Sequence, residues 1–296
     1  MLAASAATPG FWDWSLDPPL VLTIDLAILY WIGSRRTVTP ARSVATQRMR
    51  DACFYGAMVV LAVALASPLE KLSEQLFWVH MVQHVLLMLV AAPLIVLARP
   101  WIRIWRSLPL QGRRALARAF VRDARWAPVR RLSRTLGTPA AGLGLFSAVL
   151  LGWHVPGAFD ATLSSGALHA LEHFSFLAVA VLLFKQVIDS PPLRASLGDS
   201  ARLLYVIAAM TVSWILAVVL AIAPTPLYSH YADLTVRPGG ISALADQQLA
   251  AGIMWVPGSI TFAVIIFVYV HRWLAPQISE RSETINPPGA RLAGER

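Results

Sequence analysis

The chain has 296 residues, 57% of them hydrophobic and only 14% charged, with a mean hydropathy of +0.60. Soluble domains carry about 25% charged residues, so this composition excludes an ordinary water-soluble fold and points to lipid as the solvent. A formal net charge of +9 does not mark a nucleic-acid binder, because the basic residues lie between long apolar runs and not along one face of a domain.

The first ten residues, MLAASAATPG, lack a positive n-region followed by an apolar core, so no cleaved leader is expected and the first apolar run reads as a retained helix. About 20 apolar residues cross a roughly 30 Å hydrocarbon layer as a helix. Seven runs qualify: 18–34, 51–69, 75–98, 138–155, 167–188, 202–223 and 247–271. They are continuously apolar, which argues against membrane strands. Cys53 is the lone cysteine; it has no disulfide partner, and no CxxC thiolate site exists.

The connecting segments set the orientation. Segments 35–50, 99–137, 185–202 and 272–296 hold five, eleven, three and four Lys/Arg, 23 of the chain's 25. Placing them in the cytoplasm satisfies the positive-inside rule. The expected fold is therefore all-α and polytopic: seven transmembrane helices, amino terminus outside and carboxyl terminus cytoplasmic. Residues 1–274 form the transmembrane domain, with a basic cytoplasmic loop at 99–137. Residues 275–296 form a flexible cytoplasmic tail. Within the loop, Arg114, Arg118 and Arg122 recur every four residues around Leu116 and Phe120. That pattern fits either an interfacial helix against anionic lipid or a plain topogenic charge run.

Ionisable groups inside a membrane are costly and mark function by default. Six of seven histidines fall toward the outer side; His271 sits at the inner boundary. The third run carries HMVQH (His80, His84) and the fifth HALEH (His169, His173). A spacing of four puts both imidazoles of each pair on one helical face, roughly 6 Å apart along the axis. That arrangement chelates a metal in the helical HExxH motif. Here Met81 and Ala170 occupy the glutamate position, so the hydrolytic zinc motif is absent. His154 in GWHVPG, ending a helix that runs the other way, and Asp246 in ADQQLAAGIMW, opening the seventh, reach the same depth. The expected metal residues are thus His80, His84, His154, His169, His173 and Asp246, with copper, zinc and iron open as the ion. His230 lacks a fixed position. Glu172 reads as an outer acceptor or a helix–helix partner, and Asp25 as a metal-handling or structural group. Met81, Met88, Met210 and Met254 are soft donors in principle but ordinarily packing residues. Trp78, Trp153 and Trp255 read as interface anchors.

Three blocks, FWVHMVQHVLLMLVAAPLIVLARP, GWHVPGAFDATLSSGALHALEHFSF and DQQLAAGIMWVPG, resemble the caa3-type cytochrome c oxidase assembly factor family. The likeness runs in order over about residues 15–275. It implies a non-enzymatic assembly factor in the bacterial inner membrane that helps a haem–copper oxidase mature by delivering or inserting copper. The family's histidines match His80, His84, His154, His169 and His173, and its acidic position matches Asp246. Implied partners are oxidase subunits and periplasmic copper carriers, with membrane lipid around them. The leading alternative is a haem-binding redox enzyme with axial histidines on facing helices. A metal hydroxylase drawing on Glu172, Asp160 and Asp246, a transporter, and a metal-free docking protein stand behind it.

Overall fold

The computed structural model describes residues 10, 13–14, 18–191 and 195–285, the last eleven as backbone. The expectation of no cleaved leader falls on residues 1–9, outside the described residues.

Fourteen α-helices follow one another, with no strand among the described residues. They are α1 (Pro18–Arg35), α2 (Val44–Ala66), α3 (Pro68–Ser73), α4 (Phe77–Val85), α5 (Ala92–Ala98), α6 (Trp101–Ser107), α7 (Leu110–Arg122) and α8 (Ala127–Leu136). After these come α9 (Pro139–Trp153), α10 (Pro156–Ser164), α11 (Gly166–Phe184), α12 (Asp199–Ile222), α13 (Ser229–Ala232) and α14 (Ala243–Ile285). Five helices are long and apolar enough to cross a membrane: α2, the continuous Phe77–Ala98, α11, α12 and Ala243–Leu274. A sixth is counted if the pair Ala124–Leu136 and Pro139–Trp153, bent by 83°, forms one span. The chain is thus a multi-pass membrane protein. The first expected run, now α1, carries Pro18, Pro19, Asp25 and Arg35 within its 18 residues and is not among the five. Helix α14 continues to Ile285, so the expected tail begins as helix; residues 286–296 lie outside the described residues.

The span that carries HMVQH is not a uniform helix. Residues Leu86–Ala91 between α4 and α5 are π-helical. Pro93 has no N–H to give the Leu89 carbonyl four residues earlier. Thr261 of α14 donates its hydroxyl to that carbonyl instead, at 2.5 Å. In lipid such a carbonyl must find a partner inside the protein, and this one ties the span to α14.

Two apolar clusters hold the bundle. The larger unites α4, α5, α9, α10, α11, α12 and α14 around Phe77, Phe146, Phe159, Phe176, Phe184 and Phe262. The smaller joins α1 and α2 around Tyr30 and Phe54, whose rings stack at 3.8 Å.

The 99–137 loop folds as α6, α7 and α8, and Arg114, Arg118 and Arg122 all lie on α7. Helix α6 turns back into the bundle, where Arg103 is buried. The Arg103 guanidinium pairs with Asp51 and lies 5.0 Å over the Tyr30 ring. Tyr30 also donates to Asp51 at 2.7 Å. Arginine tolerates such burial because its charge is matched and its plane stacks on an aromatic face. Helices α7 and α8 bury no residue at all, so the basic amphipathic character expected of this loop belongs to them. A second latch closes the same end: Arg202 donates to Asp189 at 3.0 and 3.1 Å, and Arg99 donates to the Asp189 carbonyl at 2.6 Å. The hydrogen bond from Arg202 holds the Asp189 carboxyl below the usual carboxylate range.

Helix α1 meets α6 without a side chain between them. A Cβ on Gly33 would lie 1.8 Å from the Arg103 carbonyl oxygen, so only glycine permits this approach. Replacing Gly33 by Ala should force α1 off α6 and cost about 2 kcal/mol or more. The control Gly144→Ala, with nothing within 4 Å of the new Cβ, should be near neutral. Thermal unfolding of both variants in detergent checks this; equal midpoints would refute the close-approach account.

Candidate metal centre

Each histidine is delivered by a helix whose local sequence fixes its depth. Helix α4 begins at Phe77 with Leu76 as its cap residue, and Leu76 offers no side-chain acceptor. The orphan N–H groups of Phe77 and Trp78 are met at 2.9 Å each by the two oxygens of Asp246 from α14. A carboxylate suits this place on both hydrogen-bonding and dipole grounds. His80 and His84 follow on the buried face of α4. Helix α11 starts at Gly166 and places His169, Glu172 and His173 on its own buried face, the i, i+3, i+4 stripe of a helix turned to the core. His154 caps the C-terminus of α9.

The side chains converge. His80, His169, Glu172 and His173 each offer one donor atom, and these atoms all lie within 4.8 Å of one another. The His84 ring stands 4.5 Å from His80, 5.5 Å from His173 and 6.0 Å from His154. Glu172 is 0% exposed, and its two oxygens each lie 3.5 Å from an imidazole nitrogen, Nε2 of His80 and Nε2 of His84.

Contacts outside the cluster orient two of the imidazoles. The Tyr231 hydroxyl donates to the Ser73 carbonyl at 2.5 Å. Its oxygen is then free to accept only, and His80 Nδ1, 3.2 Å away, must be the donor. His80 Nε2 is left as a bare lone pair aimed at the Glu172 carboxylate. His169 Nδ1 faces Glu70 Oε1 at 3.4 Å, which likewise places its proton outward and leaves Nε2 bare. A carboxylate or hydroxyl behind each imidazole, with the other nitrogen directed inward, is the arrangement that orients histidine for a metal.

The consequence is a dense group of unmet buried atoms. Nε2 of His80, His169 and His173, both ring nitrogens of His84 and both oxygens of Glu172 are inaccessible and lack a hydrogen-bond partner. Buried polar atoms are rarely left so, and lone pairs facing lone pairs repel unless a cation lies between them. An ion with ligands at about 2.0–2.2 Å needs donors roughly 3.3–3.6 Å apart. The observed set reaches that by closing about an ångström, within the range of small χ rotations. The donor set fits a metal ion. It suits a haem less well, since His80 and His84 also pack on Phe159 and Phe176 at 5.0 and 4.5 Å, and a macrocycle would have to displace those rings.

Of the six residues expected as ligands, His80, His169 and His173 meet directly, His84 adjoins them, and His154 lies one step deeper. Asp246 reaches the same level but spends both oxygens on the α4 N-terminus. Glu172, expected at the margin, stands in the middle. Asp25 is exposed on α1. His230 donates Nε2–H to the Glu74 carbonyl at 3.0 Å, and Asp160 accepts from the Ser229 and His230 backbone N–H groups, so both pin α13 as a cover over the cluster. Two contributors escaped the sequence reading. Glu70 on α3 backs His169 and accepts from Gln83 at 2.7 Å; its only sequence signal is an acid in a short connection between two spans. Tyr231 gives no signal at all, because its approach depends on the path of the loop between α12 and α14.

The profile of the cytochrome c oxidase caa3 assembly factor family matches residues 28–275. Comparison with curated proteins and with solved structures finds no match.

If Asp246 caps α4 and does not ligate, Asp246→Ala should lower stability by roughly 2 kcal/mol while leaving metal stoichiometry unchanged. Asp246→Asn, which keeps one acceptor, should lose less. Thermal unfolding paired with metal analysis distinguishes the two roles, since loss of metal from a stable Asp246→Asn protein would make it a ligand.

Proposed function

The chain belongs to the cytochrome c oxidase caa3 assembly factor family, and from that premise we propose that it carries copper for a haem–copper oxidase at the buried histidine–glutamate cluster. Copper here is cargo, taken up at the outer face of the bacterial inner membrane and passed to an oxidase subunit. The observation that carries this reading is the set of bare nitrogens around one buried carboxylate. Imidazole is a good ligand for copper. A set without thiolate holds it less tightly than a closed cysteine site, as release requires.

Glu70 supports a route of entry. Its side chain is 26% exposed and its oxygen faces His169, itself 11% exposed, so an incoming cation meets a carboxylate at the rim before it meets the imidazoles. Glu172 then supplies the one negative charge inside, and charge balance makes the loaded state cheaper in lipid than a bare carboxylate. Opening the Tyr231 cover from Ser73 would unlock the His80 tautomer and favour release.

The same reading places seven spans with the amino terminus outside. Helices α1 and α9, of 18 and 15 residues, are roughly 27 and 23 Å long and cross with the help of flanking residues. Their inclusion leaves 23 of 25 Lys/Arg on the cytoplasmic side, and the 83° bend between α8 and α9 lets α8 lie along that surface.

Purified wild-type protein should bind copper, and Glu172→Gln, His80→Ala and His173→Ala should each lose the ion held by this cluster and fail to support oxidase maturation. Glu172→Gln keeps shape and is the cleanest of the three. A wild type that holds no copper after loading, or a Glu172→Gln protein that holds as many copper ions as the wild type, would refute the copper reading. For the orientation, single cysteines at Lys71, Asp233 and Arg118, all exposed, in a Cys53→Ala background report sidedness. An impermeant maleimide applied to spheroplasts should label the first two and spare Arg118→Cys; the reverse pattern would invert the topology.

A further inference from the structure

The histidine cluster does not end at the outer four donors. His154 is 6% exposed, and its Nδ1 donates to the Leu150 carbonyl at 2.8 Å. Because a carbonyl only accepts, the proton sits on Nδ1 and Nε2 carries a lone pair. That lone pair faces the sulfur of Met81, 3.5 Å away and 0% exposed. A thioether has no proton to give, so the contact joins two Lewis bases and is not a hydrogen bond. His84 stands beside them, its ring 6.0 Å from that of His154 and both its nitrogens buried and unpartnered.

We propose that Met81, His154 and His84 form a second, softer metal position directly beneath the first, selective for Cu(I). The spacing is right for a shared ion: nitrogen and sulfur donors at about 2.0 and 2.3 Å from a tetrahedral centre lie roughly 3.5 Å apart. The chemistry differs from that of the outer set. There a carboxylate joins three imidazoles, a negatively charged and partly hard environment suited to a divalent ion. Here a thioether joins two neutral imidazoles, without a carboxylate of their own, which suits a monovalent soft ion. His84 lies between the two positions, with Nε2 3.5 Å from Glu172, and can serve either. The backbone permits adjustment at this point, since the π-helical stretch Leu86–Ala91 begins two residues after His84, and such stretches recur where helices carry functional groups.

This position extends the copper reading above and can be tested apart from it. Detergent-purified protein in a Cys53→Ala background, which removes the lone thiol, is loaded with Cu(I) under anaerobic reducing conditions or with Zn(II), and X-ray absorption is recorded. The Cu(I) form should show a sulfur scatterer at about 2.3 Å, and the Zn(II) form only nitrogen and oxygen. Met81→Leu conserves volume and should fold normally. It should lose the sulfur shell and bind one Cu(I) fewer, with Zn(II) binding unchanged. His154→Gln should weaken Cu(I) in the same way. Glu172→Gln should keep the sulfur shell while losing the outer ion. If Glu172→Gln alters nothing and Met81→Leu still loses sulfur, the outer reading falls and the soft position stands. Absence of sulfur scattering in the Cu(I) form, or a Met81→Leu protein with the same number of bound Cu(I), overturns the soft position.

Discussion

A carboxylate and several imidazoles have been removed from water among apolar helices, and too few hydrogen-bond donors accompany them. Glu172 has no arginine or lysine against it, and the His80 and His169 protons, held outward by Tyr231 and Glu70, are not offered to it. Each unmet buried polar atom costs on the order of 1–3 kcal/mol, so a group of this size is sustained only if something else completes it. A cation meets most of that need in one step, because Nε2 of His80, Nε2 of His169 and both oxygens of Glu172 present lone pairs. The rest of the architecture follows from holding that group together: a carboxylate across the bundle to start α4, a pinned loop to close the top, and ion-paired latches at the opposite end.

The two ends of the molecule solve the problem of charge in lipid differently. At the arginine end, Arg103 with Asp51 and Arg202 with Asp189 are matched one to one, with Tyr30 and Tyr269 accepting or stacking beside them. These are complete within the chain and act as structure. At the histidine end the acids outside the cluster, Asp160, Asp246 and Glu70, are each bound to backbone or side-chain donors. Glu172, by contrast, has both oxygens buried without a hydrogen-bond donor. That contrast, more than the presence of histidine, separates a binding site from a packed polar core.

Much of this was legible in the chain. Apolar runs of about 20 residues located the long helices, although α2 starts seven residues before its run and α14 extends fourteen beyond its own, and the HxxxH spacing put His80 with His84 and His169 with His173 on shared faces. What the pattern could not supply was direction. Asp246 has the right depth, yet its oxygens point at the α4 backbone, because Leu76 cannot cap that helix. Arg103 counted among the charges of a loop, but the glycine contact at Gly33 draws α6 inward and buries it. Glu70 and Tyr231 sit behind the imidazoles through the folding of short connections, and no period in the sequence encodes that. Met81 looked like packing because methionine usually is; its role emerges only once the His154 proton is assigned from the Leu150 carbonyl.

The central claim, that the buried carboxylate and its imidazoles grip one ion, is most directly met by pulsed EPR on protein loaded with a single equivalent of Cu(II). The account requires modulation from the remote nitrogens of more than one imidazole, together with a signal shielded from solvent deuterium. A copper signal with at most one imidazole and ready exchange with deuterated water would place the ion at the surface and contradict it.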